Sequence, residues 1–338
     1  MSVDQSEAPT SAVRPTGRHI LPSPITGQEF VLIGVIAILW VMLGIFTPAF
    51  LSPGSIQPLL VSVAPIALIG VGMTFIIITA GIDISVAGAI MLCAVITAKS
   101  LVSFDLPLAA AIGLSVGVGL ILGMTNGLLV AYGRVHAIII TFGTANVFQF
   151  LGLRVFGSST VNGIPSTLDV FGRGEAGRTL GIPHSFAITI VIVVAAWWYL
   201  RHTSGGRHLF AIGGNAQAAR LAGIKVQPRV MIAYALTGAL VGLGACFFIA
   251  SGTSTLDQAV GSGRELAVIA ATVIGGTSIL GGRGSVIGTL LGAVLVQTVT
   301  SGVTQLGWPS QLGDLFVGIF IIVAVGTDLL RTRVRRRV

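Results

Sequence analysis

The chain has 338 residues, of which 54% are hydrophobic and only 9% are charged, and its mean hydropathy is +0.97. A soluble globular domain of this length does not reach these values, so the composition indicates a polytopic membrane protein. Backbone N–H and C=O groups must be paired in lipid, which leaves helices or a closed barrel. The apolar runs are long and do not alternate with polar residues, which favours helices. The predicted fold class is therefore all-α, a polytopic bundle of membrane helices.

Ten membrane spans are predicted along the chain, with boundaries accurate to a few residues. A polar segment rich in Pro, Ser and Thr, residues 1–28, precedes them and is predicted to be a disordered cytoplasmic tail. The transmembrane domain covers residues 29–330, and a basic cytoplasmic tail covers residues 331–338. The spans lie near residues 30–47, 58–80, 85–103, 107–131, 137–155, 185–200, 230–252, 265–280, 285–302 and 313–330.

The distribution of Lys and Arg predicts the orientation of the bundle. If the N-terminus is cytoplasmic, 14 of the 19 basic residues fall in inner segments, and the outer side keeps only Lys99, Arg154, Arg173, Arg178 and Arg264. Because cytoplasmic loops are enriched in Lys and Arg, both termini are predicted to be cytoplasmic. This asymmetry accounts for the net charge of +8 without a nucleic-acid partner. The basic run 331–337 is interpreted as a topology and lipid-headgroup anchor.

Asp83 is the carboxylate closest to the membrane interior, in the junction between the second and third spans. Ionisable residues at such depth are often functional. One interpretation is that Asp83 caps the helix beginning at Ile84, where backbone N–H groups and the helix dipole favour negative charge. An alternative is a gating ion pair with Arg283, which occupies the equivalent place in a short similarity at an offset of 200 residues. A proton relay is a third possibility, but one carboxylate near a span end makes a poor relay.

Glycines recur at helical spacing within several spans. This spacing predicts seams where helices approach closely, because small residues allow backbone contact in lipid. The seams comprise Gly113 and Gly117; Gly119, Gly123 and Gly127; Gly238 and Gly242; and Gly284, Gly288 and Gly292.

A basic, polar segment at residues 201–229 separates two apolar blocks. Within it, Asn215 is a predicted N-cap, residues 216–222 form two helical turns, and Gly223 ends the helix. One face of this short helix is small and apolar, and consists of Ala218, Leu221 and Ala222. Such a face, in a loop of a membrane protein, indicates a contact with another protein.

Motifs for nucleotide binding and metal ligation are absent from the sequence. The two lysines, Lys99 and Lys225, lack the glycine spacing of a P-loop, so any ATP would bind to another chain. The five histidines form no metal-spaced pair within the spans. We therefore predict no catalytic residue, no metal site and no cofactor in this chain.

Three charged residues are predicted on the outer side, where a short polar loop meets the eighth span. Glu265 has a simple explanation as a first-turn acid that complements the helix dipole. The alternative is that these charges dock a soluble partner that delivers a solute. The residues concerned are Asp257, Arg264 and Glu265.

Four motifs occur in order between about Phe46 and Asp328. Together they resemble the ribose, xylose, arabinose and galactose class of ATP-binding-cassette permeases, and autoinducer-2 permeases are similar. The sequence departs from the family at Arg264, where members often carry an uncharged or aromatic residue. The motifs are Val71 to Phe75 with Ala80 to Val86, Gly123 to Gly127 with Val135 and Ile138 to Gly143, Gly206 to Ile224, and Glu265 to Ala267 with Gly275 to Ser278 and Gly281 to Gly284.

The resemblance implies a subunit of a sugar importer in the bacterial inner membrane. Two such subunits, identical or different, would pair around a central pathway, and partner ATPases would bind ATP and Mg. A periplasmic or lipid-anchored binding protein would deliver the sugar. The family's cytoplasmic coupling loop would contact the ATPase through Arg207, Gly213, Asn215, Ala218, Leu221, Ala222 and Gly223.

An uncharged sugar requires hydrogen-bonding side chains along its pathway. Any polar side chain within a span can instead bond a neighbouring helix. The pathway candidates are Asn126, Thr141, Asn146, Gln149, Thr272 and Gln297. The main alternative function is a secondary transporter or channel that works without ATP, and it would require coupling carboxylates near the middle of the membrane. A lipid-processing or scaffold protein is a further alternative, which would need a catalytic cluster or a large soluble domain.

Overall fold

The computed structural model describes residues 27–335, with the exception of Arg134, Arg173 and Thr253. The predicted tail 1–28 therefore lies almost entirely outside the described residues, as do residues 336–338 at the end of the predicted basic tail. The first helix begins at Gly27 and the last one ends at Arg335.

Twelve helices and four short strands make up the described part of the chain. The helices are α1 (Gly27–Phe46), α2 (Pro53–Ile78), α3 (Val86–Val102), α4 (Leu108–Tyr132), α5 (Ala137–Phe156), α6 (His184–His202), α7 (Ser204–Gly214), α8 (Ala216–Leu221), α9 (Val226–Ser251), α10 (Arg264–Ile274), α11 (Val286–Gln305) and α12 (Gln311–Arg335). The strands are β1 (Thr160–Asn162), β2 (Arg178–Thr179), β3 (Ile182–Pro183) and β4 (Thr255–Asp257). Two 3-10 helices, Pro48–Leu51 and Ser166–Phe171, complete the fold.

The all-α membrane bundle agrees with the sequence, but the helix lengths do not reproduce ten full spans. Within the described residues, α1, α2, α4, α5, α6, α9 and α11 are long and apolar enough to cross a membrane, and α3 and part of α12 are shorter. The largest difference falls on the predicted span 265–280, because α10 has 11 residues and ends at Ile274. Gly276 follows with a φ of 96°, a left-handed conformation that favours glycine and cannot continue the helix.

The loops of the bundle gather at two ends. At one end, the junctions 79–85 and 275–285 contact the segment between α6 and α9. At the other end, β1 pairs antiparallel with β4, and the Gln258 side chain donates a hydrogen bond to the carbonyl of Ser158 at 2.8 Å. We name these the inner end and the outer end. The assignment of the inner end to the cytoplasm stays a prediction from the charge distribution.

Helix α2 lies at the centre of the bundle. In its most apolar stretch 94% of the residues are buried, compared with 17% in α5. Pro58 and Pro65 lie inside α2, and the helix is continuous through both of them. Neighbouring helices can satisfy backbone groups that a proline leaves free in a membrane. Near Pro65, the hydroxyl of Thr189 in α6 donates a hydrogen bond to the carbonyl of Ala64 at 3.2 Å.

Helices α4 and α9 cross at a seam of glycines. A Cβ atom on Gly119 would lie 2.2 Å from the carbonyl oxygen of Gly238, and a Cβ atom on Gly238 would lie 2.1 Å from that of Gly119. Ser115 extends the contact by donating to the carbonyl of Gly242 at 2.7 Å. Backbone-to-backbone packing of this kind replaces the hydrophobic driving force that is missing in lipid.

The seam gives a prediction with a matched control on the same helix. Gly119→Ala should destabilise the bundle by about 1–3 kcal/mol, because the new methyl group overlaps the α9 backbone. A Cβ atom on Gly117, two residues away, meets nothing within 4 Å, so Gly117→Ala should leave stability unchanged. Thermal unfolding of the two variants in detergent measures the difference, and equal unfolding temperatures would contradict the seam.

Candidate functional site

The segment between α6 and α9 forms two short, capped helices at the inner end. Thr203 caps α7, since its hydroxyl accepts a hydrogen bond from the N–H of Gly206 at 3.1 Å. Asn215 caps α8 by accepting from the N–H groups of Gln217 and Ala218, both at 3.0 Å. Gly223, with a φ of 83°, follows the last turn. These local interactions build the short helix at the place that the sequence indicated.

Helix α8 rests on the bundle by one side chain and leaves its other face open. Ala219 is buried against Ile212 and Val226. Leu221, by contrast, is 86% exposed, and Ala218 and Ala222 are exposed beside it. A large apolar side chain that is exposed on a capped helix is typical of a protein contact surface. We call Ala218, Leu221 and Ala222 the coupling face, and its contact with an ATPase stays a prediction, as does that of Arg207, which is also exposed.

Gly213 joins this segment directly to the backbone of the bundle. A Cβ atom on Gly213 would lie 1.7 Å from the carbonyl oxygen of Ile78 and 2.5 Å from the amide nitrogen of Gly282. Those two groups are themselves bonded, since the N–H of Gly282 donates to the carbonyl of Ile78 at 2.9 Å. The backbones of three segments, the end of α2, the end of α7 and the junction 275–285, therefore meet at Gly213.

The junction 79–85 contains a buried chain of polar groups. Asn126 of α4 donates to the Ser85 hydroxyl at 2.6 Å, and that hydroxyl donates to the Asp83 carboxylate at 2.6 Å. Asp83 also accepts the backbone N–H of Ser85 at 2.8 Å. Helix α3 begins at Val86, two residues later than the expected Ile84, so Asp83 holds the turn that leads into the helix.

The junction 275–285 has a similar arrangement that the sequence did not reveal. The Ser285 hydroxyl accepts the N–H of Gly288 at 3.1 Å and donates to the carboxylate of Glu29, a buried residue of α1. Arg283 is exposed, whereas Asp83 is buried among its serine and asparagine partners. The structure thus places the two members of the expected gating pair in different environments. Glu29 lies 256 residues from Ser285, so no local motif marks their contact.

A polar cavity of about 230 Å³ lies between α3, α5 and the loop that leads into α10. Asn146 and Gln149, two of the pathway candidates, lie in its wall together with Glu265. Within the described residues, the Oε2 atom of Glu265 is buried and has no hydrogen-bond partner. Gln258 and Ser262, which the sequence analysis did not select, also line the cavity. We call this cavity the polar pocket.

The other four pathway candidates do not line the polar pocket. Thr141 accepts the N–H of Ile84 at 3.2 Å, and Thr272 donates to the carbonyl of Val268 in its own helix at 2.8 Å. Gln297 of α11 is 7% exposed. Asn126 is 1% exposed and belongs to the Asp83 junction. The contacts of Thr141, Thr272 and Asn126 agree with the alternative stated for them, which is bonding within and between helices.

The three outer charged residues have different surroundings. Asp257 is exposed and accepts the N–H of Ala259 at 2.7 Å. Arg264 is exposed and lies over the ring of Phe248 at 5.1 Å. Glu265 faces the polar pocket. Glu265 therefore lies in the wall of a cavity, whereas Asp257 and Arg264 are exposed on the surface.

Three features are typical of a multi-pass membrane transport protein. They are the helix bundle, the polar pocket and the exposed helix at the inner end. A family model described as "Branched-chain amino acid transport system / permease component" matches residues 55–325, and the chain belongs to this permease family. The resemblance drawn from the four sequence motifs is confirmed by the curated relatives.

These relatives are import permeases. The chain is 35% identical to the ribose import permease protein RbsC of Escherichia coli strain K12 over 283 residues, 83% of this chain and 88% of the relative. It is 39% identical to the ribose import permease protein RbsC of Bacillus subtilis strain 168 over 294 residues, 86% and 89% of the two chains. It is 33% identical to the autoinducer 2 import system permease protein LsrD of Photorhabdus temperata over 305 residues, 88% and 90% of the two chains. No solved structure matches the chain.

The backbone contact at Gly213 can be tested against its neighbour. Gly213→Ala should loosen α7 and α8, because the methyl group would overlap the Ile78 carbonyl, and amide hydrogen exchange across residues 204–224 should increase by about tenfold or more, as expected for a loss of 1–3 kcal/mol. A Cβ atom on Gly214 meets nothing within 4 Å, so Gly214→Ala is the control and should exchange like the parent protein. Equal exchange in both variants would show that the contact does not hold the segment.

Proposed function

We propose that this chain is a membrane subunit of an ATP-binding-cassette importer in the bacterial cytoplasmic membrane. Its solute is a monosaccharide such as ribose, or a similarly small polar molecule. It pairs with a second permease subunit, identical or related, and receives the solute from a periplasmic or lipid-anchored binding protein. A partner ATPase binds and hydrolyses ATP with Mg. The observation that carries the proposal is the open coupling face of α8, joined by backbone contacts to the bundle of a family permease.

The proposed mechanism begins at the coupling face. When ATP draws the ATPase domains together, they displace α8 and, with it, the end of α7. Gly213 touches both Ile78 and Gly282, so the displacement reaches both junctions at once. Helices α2, α3, α10 and α11 begin or end at those junctions and reorient together. The polar pocket between α3, α5 and the start of α10 is then exposed to each side of the membrane in turn.

The chemistry of the polar pocket supports an uncharged solute that carries hydroxyl groups. Amide groups of Asn146 and Gln149 can both donate and accept hydrogen bonds, as sugar hydroxyls do. The Glu265 carboxylate only accepts when ionised, and it disfavours an anionic solute such as a sugar phosphate. Because the pocket opens on an exposed face, the second permease subunit can complete it.

A secondary transporter is the rival that one observation favours, since Glu265 in the polar pocket is the kind of group that couples protons to a solute. The other buried carboxylates among the described residues, Glu29 and Asp83, are bonded to serines at the inner end. A secondary transporter requires no ATPase, so its solute uptake should not depend on the coupling face. Uptake by an ATP-binding-cassette importer should depend on it.

We propose a separate role for the exposed outer charges. Asp257 and Arg264 would contribute to the surface that docks the binding protein, which fits their exposure at the outer end. Glu265, which was considered for the same role, would instead serve the polar pocket.

Replacement of the exposed leucine tests the coupling role. Leu221→Asp should leave membrane insertion intact, because the side chain makes no core contact, and should abolish solute-stimulated ATP hydrolysis in the reconstituted complex. Leu180→Asp is the matched control, since Leu180 is 97% exposed at the outer end and should keep full stimulation. Stimulation that survives in Leu221→Asp would refute the coupling role, and ATP-independent uptake by either variant would favour the secondary transporter.

Uptake kinetics test the polar pocket. Asn146→Ala and Gln149→Ala should each weaken solute affinity roughly fivefold, which corresponds to the loss of about 1 kcal/mol from one hydrogen bond. Asn162→Ala, which removes an exposed amide at the outer end, is the control and should not change the Michaelis constant. A pathway elsewhere in the bundle is indicated if the pocket variants transport like the parent protein.

A further inference from the structure

A second cavity, of about 380 Å³, lies between α2, α6 and α9 and contains no residue of the polar pocket. Its wall is apolar over most of its length and ends at a single charged residue, Arg229. The lining side chains come from Val71, Phe75, Ile192, Ala195, Ala196, Tyr199, Leu209, Arg229, Ile232, Ala233, Leu236 and Leu240. We call this cavity the apolar groove.

The apolar groove is elongated and open along one side. Along α9 it runs from Arg229 to Leu240, which is about 16 Å at 1.5 Å per residue. Ile232 and Leu236, on the same helix, are 59% and 38% exposed, so the groove is open at its side. Its charged end lies in the first turn of α9, at the inner end of the bundle, where the membrane meets water. The shape matches an acyl chain that lies along the helix.

Arg229 needs an anionic partner in this position. Within the described residues, its Nε atom is buried and has no hydrogen-bond partner. The groove wall contains no Asp or Glu that could neutralise it. A guanidinium group presents its N–H donors in a fixed fork that suits phosphate oxygens. A ligand with one phosphate at the interface and one hydrocarbon chain would satisfy both parts of the groove.

The surrounding charge favours a headgroup with a net negative charge. The segment 201–229 holds Arg201, Arg207, Arg220, Lys225 and Arg229 and has no Asp or Glu. A basic cluster of this kind beside an apolar surface attracts acidic lipids of the inner leaflet, at about 1 kcal/mol per basic residue near the surface.

We propose that the apolar groove binds an anionic phospholipid, with its phosphate on Arg229 and an acyl chain between α6 and α9. Helices α6 and α9 precede and follow the segment that carries the coupling face. The lipid therefore contacts both helices that connect this segment to the bundle. The binding itself does not depend on the transported solute or on the ATPase. It is therefore testable on the permease alone.

Native mass spectrometry of the purified chain in mild detergent, titrated with phosphatidylglycerol or phosphatidylethanolamine, measures the site. The parent protein should retain phosphatidylglycerol in preference to phosphatidylethanolamine. Arg229→Gln should weaken phosphatidylglycerol binding about fivefold and remove the preference, as expected for the loss of one phosphate contact. Lys225→Gln removes the same charge from an exposed position four residues away that does not line the groove, so it should weaken binding by less than Arg229→Gln and keep the preference for phosphatidylglycerol.

A second variant tests the acyl-chain half of the site. Ala195 is exposed at the groove, so Ala195→Trp fills the groove without displacing the core and should reduce retention of both lipids. Thermal unfolding of each variant verifies that it is folded. If Arg229→Gln does not fold, Arg229→Lys takes its place in the lipid titration. Equal lipid binding by the parent protein and Arg229→Gln would overturn the proposal. Equal losses of phosphatidylglycerol binding in Arg229→Gln and Lys225→Gln would also overturn it. So would an Ala195→Trp variant that loses its dimer but retains the lipid.

Discussion

The structure depends on one backbone contact, in which Gly213 lies against the carbonyl of Ile78 and the amide of Gly282. No side chain larger than hydrogen fits there, so the end of α7, the end of α2 and the junction 275–285 are held at the shortest distance that a polypeptide allows. Side-chain contacts can slip by changing rotamer, but this contact cannot. In the proposed mechanism, a movement of α8 reaches the bundle through this contact. Ala219 is buried against the bundle, and Leu221 is exposed on the opposite side of the same short helix.

Polar residues within the helices serve two purposes that differ in burial. Asn126 is enclosed, and its Nδ2 donates to Ser85 in the junction before α3, while its buried Oδ1 has no hydrogen-bond partner among the described residues. Asn146 and Gln149 lie on the exposed side of α5 and line a cavity with Glu265, and the Asn146 amide also donates to the carbonyl of Phe142 in its own helix at 2.8 Å. Amides within the spans thus occur both in a buried helix junction and in the wall of a cavity.

Features with local causes could be predicted from the sequence, and features with distant partners could not. The cap at Asn215 and the spacing of Gly119 depend on neighbouring residues or on helical periodicity, and both are present in the structure. The short α10, the continuous α2 and the contact of Glu29 with Ser285 depend on which elements meet in space. Composition alone does not distinguish a polar residue that lines a cavity from one that bonds a neighbouring helix. Two of the six pathway candidates therefore lie in the polar pocket.

We propose that α8 and the junctions 79–85 and 275–285 move as one unit, and distances between spin labels test this most directly. Gln217 and Arg283 are exposed at the inner end, on α8 and on the junction 275–285. In a reconstituted complex with cysteine-linked labels at both positions of one permease subunit, the distance between the labels should be the same with and without trapped nucleotide. The distance between Gln217 labels on the two permease subunits should change. A nucleotide-dependent change in the distance within one subunit would contradict the account, because α8 would then move independently of the bundle.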